Sequence, residues 1–217
     1  MLQQAHQFLL NLSANNNREW FDAHKTEYLA AQQQWLQFVE RLIKAYNVLL
    51  PTDHLEAKKC VFRIYRDVRF SKNKLPFKNN FSALIGAEGK QTKGHTWWYI
   101  HYSPEGSFLA SGAYEPTPAQ LAAIRQEIDY NSEKFRAIVN EPELVKYFGQ
   151  LMGNQLKTAP KGYPKDHPDI QYLRYTQLYF SHSIPTAQFN KPDMPQYLVE
   201  KSALLLPFIE FLNEATE

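Results

Sequence analysis

The run Arg63-Ile64-Tyr65-Arg66-Asp67-Val68-Arg69-Phe70-Ser71-Lys72 places four cations and one carboxylate in ten residues. Guanidinium forks bind phosphate and carboxylate oxygens in pairs, and a carboxylate between two of them lowers their repulsion and fixes their direction. Lys74 and Lys78 extend the run around Pro76. From Lys58 to Lys78 the charge is +7 over 21 residues, which leaves −5 for the other 196. This predicts a local anion site on a mildly acidic body and excludes a uniformly basic nucleic-acid binder. Its ligands are Arg63, Arg66, Arg69, Lys72, Lys74 and Lys78, with Asp67 orienting the guanidiniums. An ion-pair lattice on a solvated sheet has the same composition and is the commoner arrangement.

A second patch runs from Lys157 to Pro168, where three prolines and Gly162 predict a loop of defined path. Lys157, Lys161 and His167 are candidates for a wall facing the first patch. Asp67 and His167 are the two acid–base candidates, an imidazole because it titrates near neutral pH. Asp166 precedes His167, but adjacent side chains point apart and make a poor dyad. Trp97, Tyr99, His101 and Ser103 share one strand face, which could stack a base or sugar, although core packing is the commoner use of such rings. Gly89 to Thr96 has phosphate-loop spacing, yet His95 stands where that motif needs Lys and a strand follows, so it reads as a hairpin loop. Seven histidines without a His-Glu-x-x-His pattern and a single cysteine signal no metal site, and no cofactor is expected.

The elements that must position these groups follow from periodicity. Gln3–Leu12 predicts a short helix. Tyr28, Ala31, Trp35, Phe38, Val39, Leu42, Tyr46 and Leu49 form the stripe of a long one stopped by Pro51. Residues 60 to 70 alternate apolar and polar, which predicts a strand; Arg66 falls on its apolar face unless a bulge re-aims it. Further strands are predicted over 79–85, 96–103, 107–114 and 172–180, with Ser103-Pro104-Glu105-Gly106 as a type I turn. Thr117-Pro118-Ala119-Gln120 is a capping box, Ser132 and Glu141-Pro142 open two more helices, and Met194–Leu212 closes the chain as a helix interrupted at Pro207. The fold class is α+β, an antiparallel β-meander packed with N-terminal and C-terminal helices in one domain over residues 1–217.

The chain resembles the family called domain of unknown function 2461. The words that carry this are Asn15-Asn16-Asn17-Arg18-Glu19-Trp20-Phe21 with His24-Lys25, Arg63 to Lys72, Lys74 with Pro76-Phe77-Lys78, Tyr99 to Gly106, Gly112 to Pro116, Ile124-Arg125, Leu156 to Tyr163, and Asp166-His167-Pro168. The resemblance brings no activity with it, but its strongest word coincides with the basic run. The family pattern usually has Asp where Asn73 stands, Ser or Thr with Tyr where Leu75 and Phe77 stand, and Lys near Thr176, so chemistry needing those groups is in doubt here.

With 44% hydrophobic and 21% charged residues the chain is of ordinary globular composition, and 31 aromatic residues predict a ring-packed core. The N-terminus lacks a basic region before Phe8–Leu10, and the apolar run 203–209 is too short for a bilayer, so a cytoplasmic protein with no membrane partner is expected. The expected partner is an anionic small molecule. The alternatives are a nucleic-acid or protein-binding module using the same basic patch and a purely structural ion-pair network.

Overall fold

Three helices open the chain because its apolar residues recur at three- and four-residue steps. They are α1 (Gln3–Ala14), α2 (Arg18–Ala23) and α3 (Lys25–Tyr46), followed by the single turn α4 (Ala57–Cys60). The computed structural model describes residues 2–86, 88–91 and 96–216. Asn17 caps α2 by accepting from the Trp20 N–H at 2.9 Å. The predicted stripe is the buried face of α3 up to Tyr46, and Leu49 lies beyond its end.

Strands β1 (Phe81–Ile85), β2 (Trp98–Tyr102) and β3 (Ser107–Ala113) lie inside their predicted spans. Gly106 N–H closes on the Ser103 carbonyl between the last two. Helices α5 (Pro118–Tyr130), α6 (Ser132–Val139), α7 (Pro142–Phe148) and α8 (Ile170–Leu173) follow. Strand β4 (Leu178–Ile184) precedes α9 (Met194–Ala203) and α10 (Leu206–Glu214). The sheet is an antiparallel meander of order β1-β2-β3-β4, so the chain is α+β. No helix among the described residues is long and apolar enough to cross a membrane.

Local chemistry explains most boundaries. Thr117 and Gln120 form both bonds of the capping box, with Pro118 at the first helical position. Glu141 accepts from the Leu144 N–H at 2.6 Å ahead of Pro142. Asn131, not Ser132, precedes α6, and it makes no side-chain cap. Pro207 sits in the first turn of α10, where its missing N–H costs nothing, and so separates α10 from α9.

Two predicted strands are corrected. Residues 60–70 make no continuous strand: Cys60 ends α4, and only isolated bridges form, Val61 to Ala83 and Tyr65 to Phe77. Residues 64–66 and 76–78 instead face each other as a short hairpin, with Arg66 N–H on the Pro76 carbonyl at 2.9 Å and Lys78 N–H on the Ile64 carbonyl at 2.8 Å. The alternation survives as burial, with 63, 65, 67 and 69 exposed and 62, 64, 66 and 68 covered or half covered, and ends at Phe70. The other correction is 172–180, whose start is the last part of α8; β4 begins only at Leu178. Its aromatic residues read as strand, but Leu173 N–H returns to the Asp169 carbonyl and closes a helical turn. In the declined phosphate-loop match, Gly89–Gln91 is a 3-10 turn and Thr92–His95 lie outside the described residues.

The chain divides into two compact units. The first holds the described residues of 1–91, 99–109 and 183–199, the second those of 92–98, 110–182 and 200–217. In the first, Trp35 stacks on Phe38, Phe81 and Tyr102, and Phe189 packs against Phe38 and Tyr102. In the second, Phe135 packs on Phe208 and Phe211, and Phe180 on Phe148 and Phe208.

Candidate functional site

The hairpin of residues 64–78 is held from below by rings and one side-chain amide. Phe77 stacks on Phe21 with centroids 4.0 Å apart, and Tyr65 packs against both. Lys25 donates to the Tyr65 hydroxyl at 3.1 Å while its ammonium lies over the rings of Phe21, Tyr28 and Tyr65. The Asn16 amide pairs with both backbone groups of Phe77. The hairpin loop is braced internally: Ser71 N–H and Lys74 Nζ both donate to the Val68 carbonyl, and Asn73 Oδ1 accepts from the Leu75 N–H. Asp67 accepts from Arg69 at 2.7 and 3.0 Å.

These contacts build one wall of a cleft of about 370 Å³, lined among others by Asn16, Arg66, Asn73, Lys78, Asn80 and Glu105. The half-buried Arg66 side chain makes, among the described residues, one hydrogen bond, a long 3.5 Å contact from its guanidinium to Ser71 Oγ. The Lys78 ammonium lies 5.5 Å from the Phe62 ring centroid. Its pKa is held below that of an ordinary lysine, first by burial and then by the charges of Arg63 and Arg66. Among the described residues none of Arg63, Arg66 and Lys78 has a carboxylate within ion-pair distance, 4.0 Å. Behind them His101 stacks on Phe108, centroids 4.5 Å apart, and is pushed down to about 4 by burial and then by the Lys78 charge.

Other expected groups behave differently. Asp67 hydrogen bonds to Arg69 and not to Arg63, which acts on it through charge alone, and the Arg69 bonds hold its carboxyl below the usual carboxylate range. That pair is exposed at the hairpin tip, and Lys72 is exposed as well. The Lys74 ammonium is spent on a backbone carbonyl. Tyr99 and His101 pack against Phe108, and Phe62 covers Tyr99, while Ser103 is buried and donates to the Asn79 carbonyl; this face is used for packing.

Lys157, Lys161 and His167 belong to the second unit, where both lysines are exposed. His167 Nε2 meets Asp129 Oδ1 at 2.9 Å, and its Nδ1 accepts from the Asp169 N–H at 3.1 Å. A backbone N–H only donates, so Nδ1 is the unprotonated nitrogen and Nε2 carries the proton. Both nitrogens are therefore occupied, and the partner is Asp129 rather than the adjacent Asp166.

Asn16, Asn80, Glu105 and His101 were not candidates from charge patterning, which scores cations only. Asn16 and Glu105 had a signal as members of resemblance words, but each read locally as turn chemistry. A larger cleft of about 540 Å³ in the first unit is lined by Glu40, Lys44, Asp53, Glu56 and Lys58 and contains no predicted ligand. Its mixed charges give it no preference for an anion.

The family described as "Conserved hypothetical protein (DUF2461)" matches residues 4–211. No curated protein and no solved structure matches the chain.

Proposed function

The chain belongs to the DUF2461 family of conserved hypothetical proteins, and from its own geometry we propose that it binds a small phosphate- or carboxylate-bearing ligand in the cleft beside the hairpin. The observation that carries this is the approach of Arg63 and Arg66 to half-buried Lys78 with, among the described residues, no carboxylate within ion-pair distance of the three, so that burial and then the two guanidinium charges disfavour the charged form of Lys78. A structural ion-pair network would place acids between such cations, because like charges in partial burial destabilise each other. An anion supplies the missing charge. Arg66 and Lys78 contact it in this reading, and Arg63 strengthens the field from the rim. The Asn73 and Asn80 amides and the Glu105 carboxylate serve neutral hydroxyl or amine groups on the same ligand. Asp67 has its basicity lowered by Arg69. With His167 occupied at both nitrogens, the reading is one of binding and includes no reaction.

The test is thermal unfolding of the wild type, Arg66→Ala and Lys78→Met against inorganic phosphate, sugar phosphates, nucleotides and di- and tricarboxylates. A ligand at 100 times its Kd adds about 2.7 kcal/mol, a rise of roughly 5–10 °C for a chain of this size. The expected result is a rise in wild type that both variants lose. Equal stabilisation of all three proteins, or of none by any anion, refutes the cleft as an anion site.

A further inference from the structure

Phe70 is 95% exposed. A large apolar ring so fully in water, in a loop braced by four contacts of its own, is held out rather than left over. The Ser71-to-Val68 turn and the Asp67–Arg69 pair set it at the hairpin tip, and the Arg69 guanidinium lies 5.8 Å from its centroid. Arg66, whose guanidinium reaches Ser71, connects the tip to the cleft, and Asn73 and Leu75 of the same loop line that cleft. An exposed ring, flanking cations and an amide-lined cleft are thus continuous along one hairpin.

We infer that this surface binds single-stranded nucleic acid: a base stacks on Phe70, adjacent phosphates contact Arg69 and Lys72, and the phosphate held at Arg66 and Lys78 belongs to the same strand. The inference rests on the anion reading of the cleft and extends it to a polymer. Stacking on an aromatic ring needs a base free of a duplex, which selects the single strand, and every base offers a face, so sequence preference is weak. The cleft wall separates this partner from an anionic membrane. Asn73, Asn80 and Glu105 match base edges and ribose hydroxyls, whereas acyl chains would leave them without partners. Local charge complementarity accounts for binding by a chain whose net charge is only +2, since residues 58–78 carry +7 and the other 196 residues −5.

The test is fluorescence anisotropy with a labelled mixed-sequence RNA dodecamer and its DNA counterpart at low salt. Because Phe70 is exposed, its variants keep the fold. Phe70→Ala is expected to weaken binding roughly 5- to 100-fold, Phe70→Leu to match it, and Phe70→Trp to retain wild-type affinity. Arg66→Ala is expected to weaken binding and to make the log–log salt slope shallower by about 0.7. The phosphate-induced thermal shift should be unchanged in Phe70→Ala. Absence of RNA and DNA binding alongside an Arg66-dependent phosphate shift overturns this inference and leaves the anion site standing. Oligonucleotide binding that Arg66→Ala does not affect overturns the shared phosphate. Equal affinity of Phe70→Leu and wild type overturns stacking, as does sedimentation with phosphatidylserine vesicles in place of oligonucleotide binding.

Discussion

The side-chain amide of Asn16 grips both backbone groups of Phe77, donating to its carbonyl at 3.0 Å and accepting from its N–H at 3.1 Å. An amide in this position imitates one residue of a neighbouring strand, joining the turn between α1 and α2 to a hairpin 61 residues later. Phe77 is thereby set on Phe21, and Lys78, the next residue, is set in the cleft wall.

Asn16→Ala leaves two part-buried backbone groups unsatisfied and should cost about 1–3 kcal/mol in urea unfolding. Asn16→Asp keeps the acceptor but turns a carboxylate oxygen toward the Phe77 carbonyl, so it should not restore the loss. Both variants should show a smaller phosphate-induced shift than wild type, because the wall carrying Lys78 is no longer anchored. Wild-type stability in Asn16→Ala would show the pairing to be dispensable.

His101 gives the fold a pH dependence of defined sign. Its folded pKa is about 4 against an ordinary 6.5, so between these values the unfolded chain holds more protons at this site. Stability is then full above about 6.5, falls as pH drops through the window, and has lost roughly 2 kcal/mol below about 4, allowing for partial exposure. His101→Phe should flatten this slope in denaturant titrations across the window. In Lys78→Met, the His101 midpoint followed by NMR should rise only part of the way toward 6.5, since burial is the larger cause.

Asn73 accepts from the Leu75 N–H through Oδ1, an Asx turn that a carboxylate makes equally well. Asn73→Asp should therefore change stability by less than about 0.5 kcal/mol. It adds a negative charge to the cleft wall and should reduce the phosphate-induced thermal shift. An unchanged shift would place the anion away from this wall.

His167 ties the 157–168 loop of the second unit to α5 through Asp129 and caps the turn at Asp169. Nitrogen NMR at neutral pH should report the Nε2–H tautomer. His167→Ala should cost about 1–3 kcal/mol by removing two bonds of a half-buried group. A ring found with its proton on Nδ1 would break the Asp169 bond and reopen an acid–base role.

Signals between near neighbours were legible in the chain. The Thr117–Gln120 box, the Glu141 cap, the α3 stripe and the Ser103–Gly106 turn each depend on residues within a few positions, and all are present. The alternation over 60–70 named which side chains face outward up to Arg69 but placed Phe70 on the covered side, where it is 95% exposed, and it did not name the element that carries them. A strand is defined by its partner ladder, and here the loop of 67–75 folds on its own carbonyls instead of extending one.

By itself the sequence determined an α+β chain whose +7 charge is concentrated over residues 58–78. Composition and local periodicity suffice for that, because each residue contributes independently of the chain's path. Only the tertiary structure decided that Asp67 bonds to Arg69 and not to Arg63, and that Arg66 and Lys78 share a cleft wall with, among the described residues, no carboxylate within ion-pair distance of either. It likewise decided that Asn16 meets Phe77 and His167 meets Asp129. Distances between residues far apart in sequence depend on how every intervening element packs, and the burial and charge that set a site's chemistry follow from those distances.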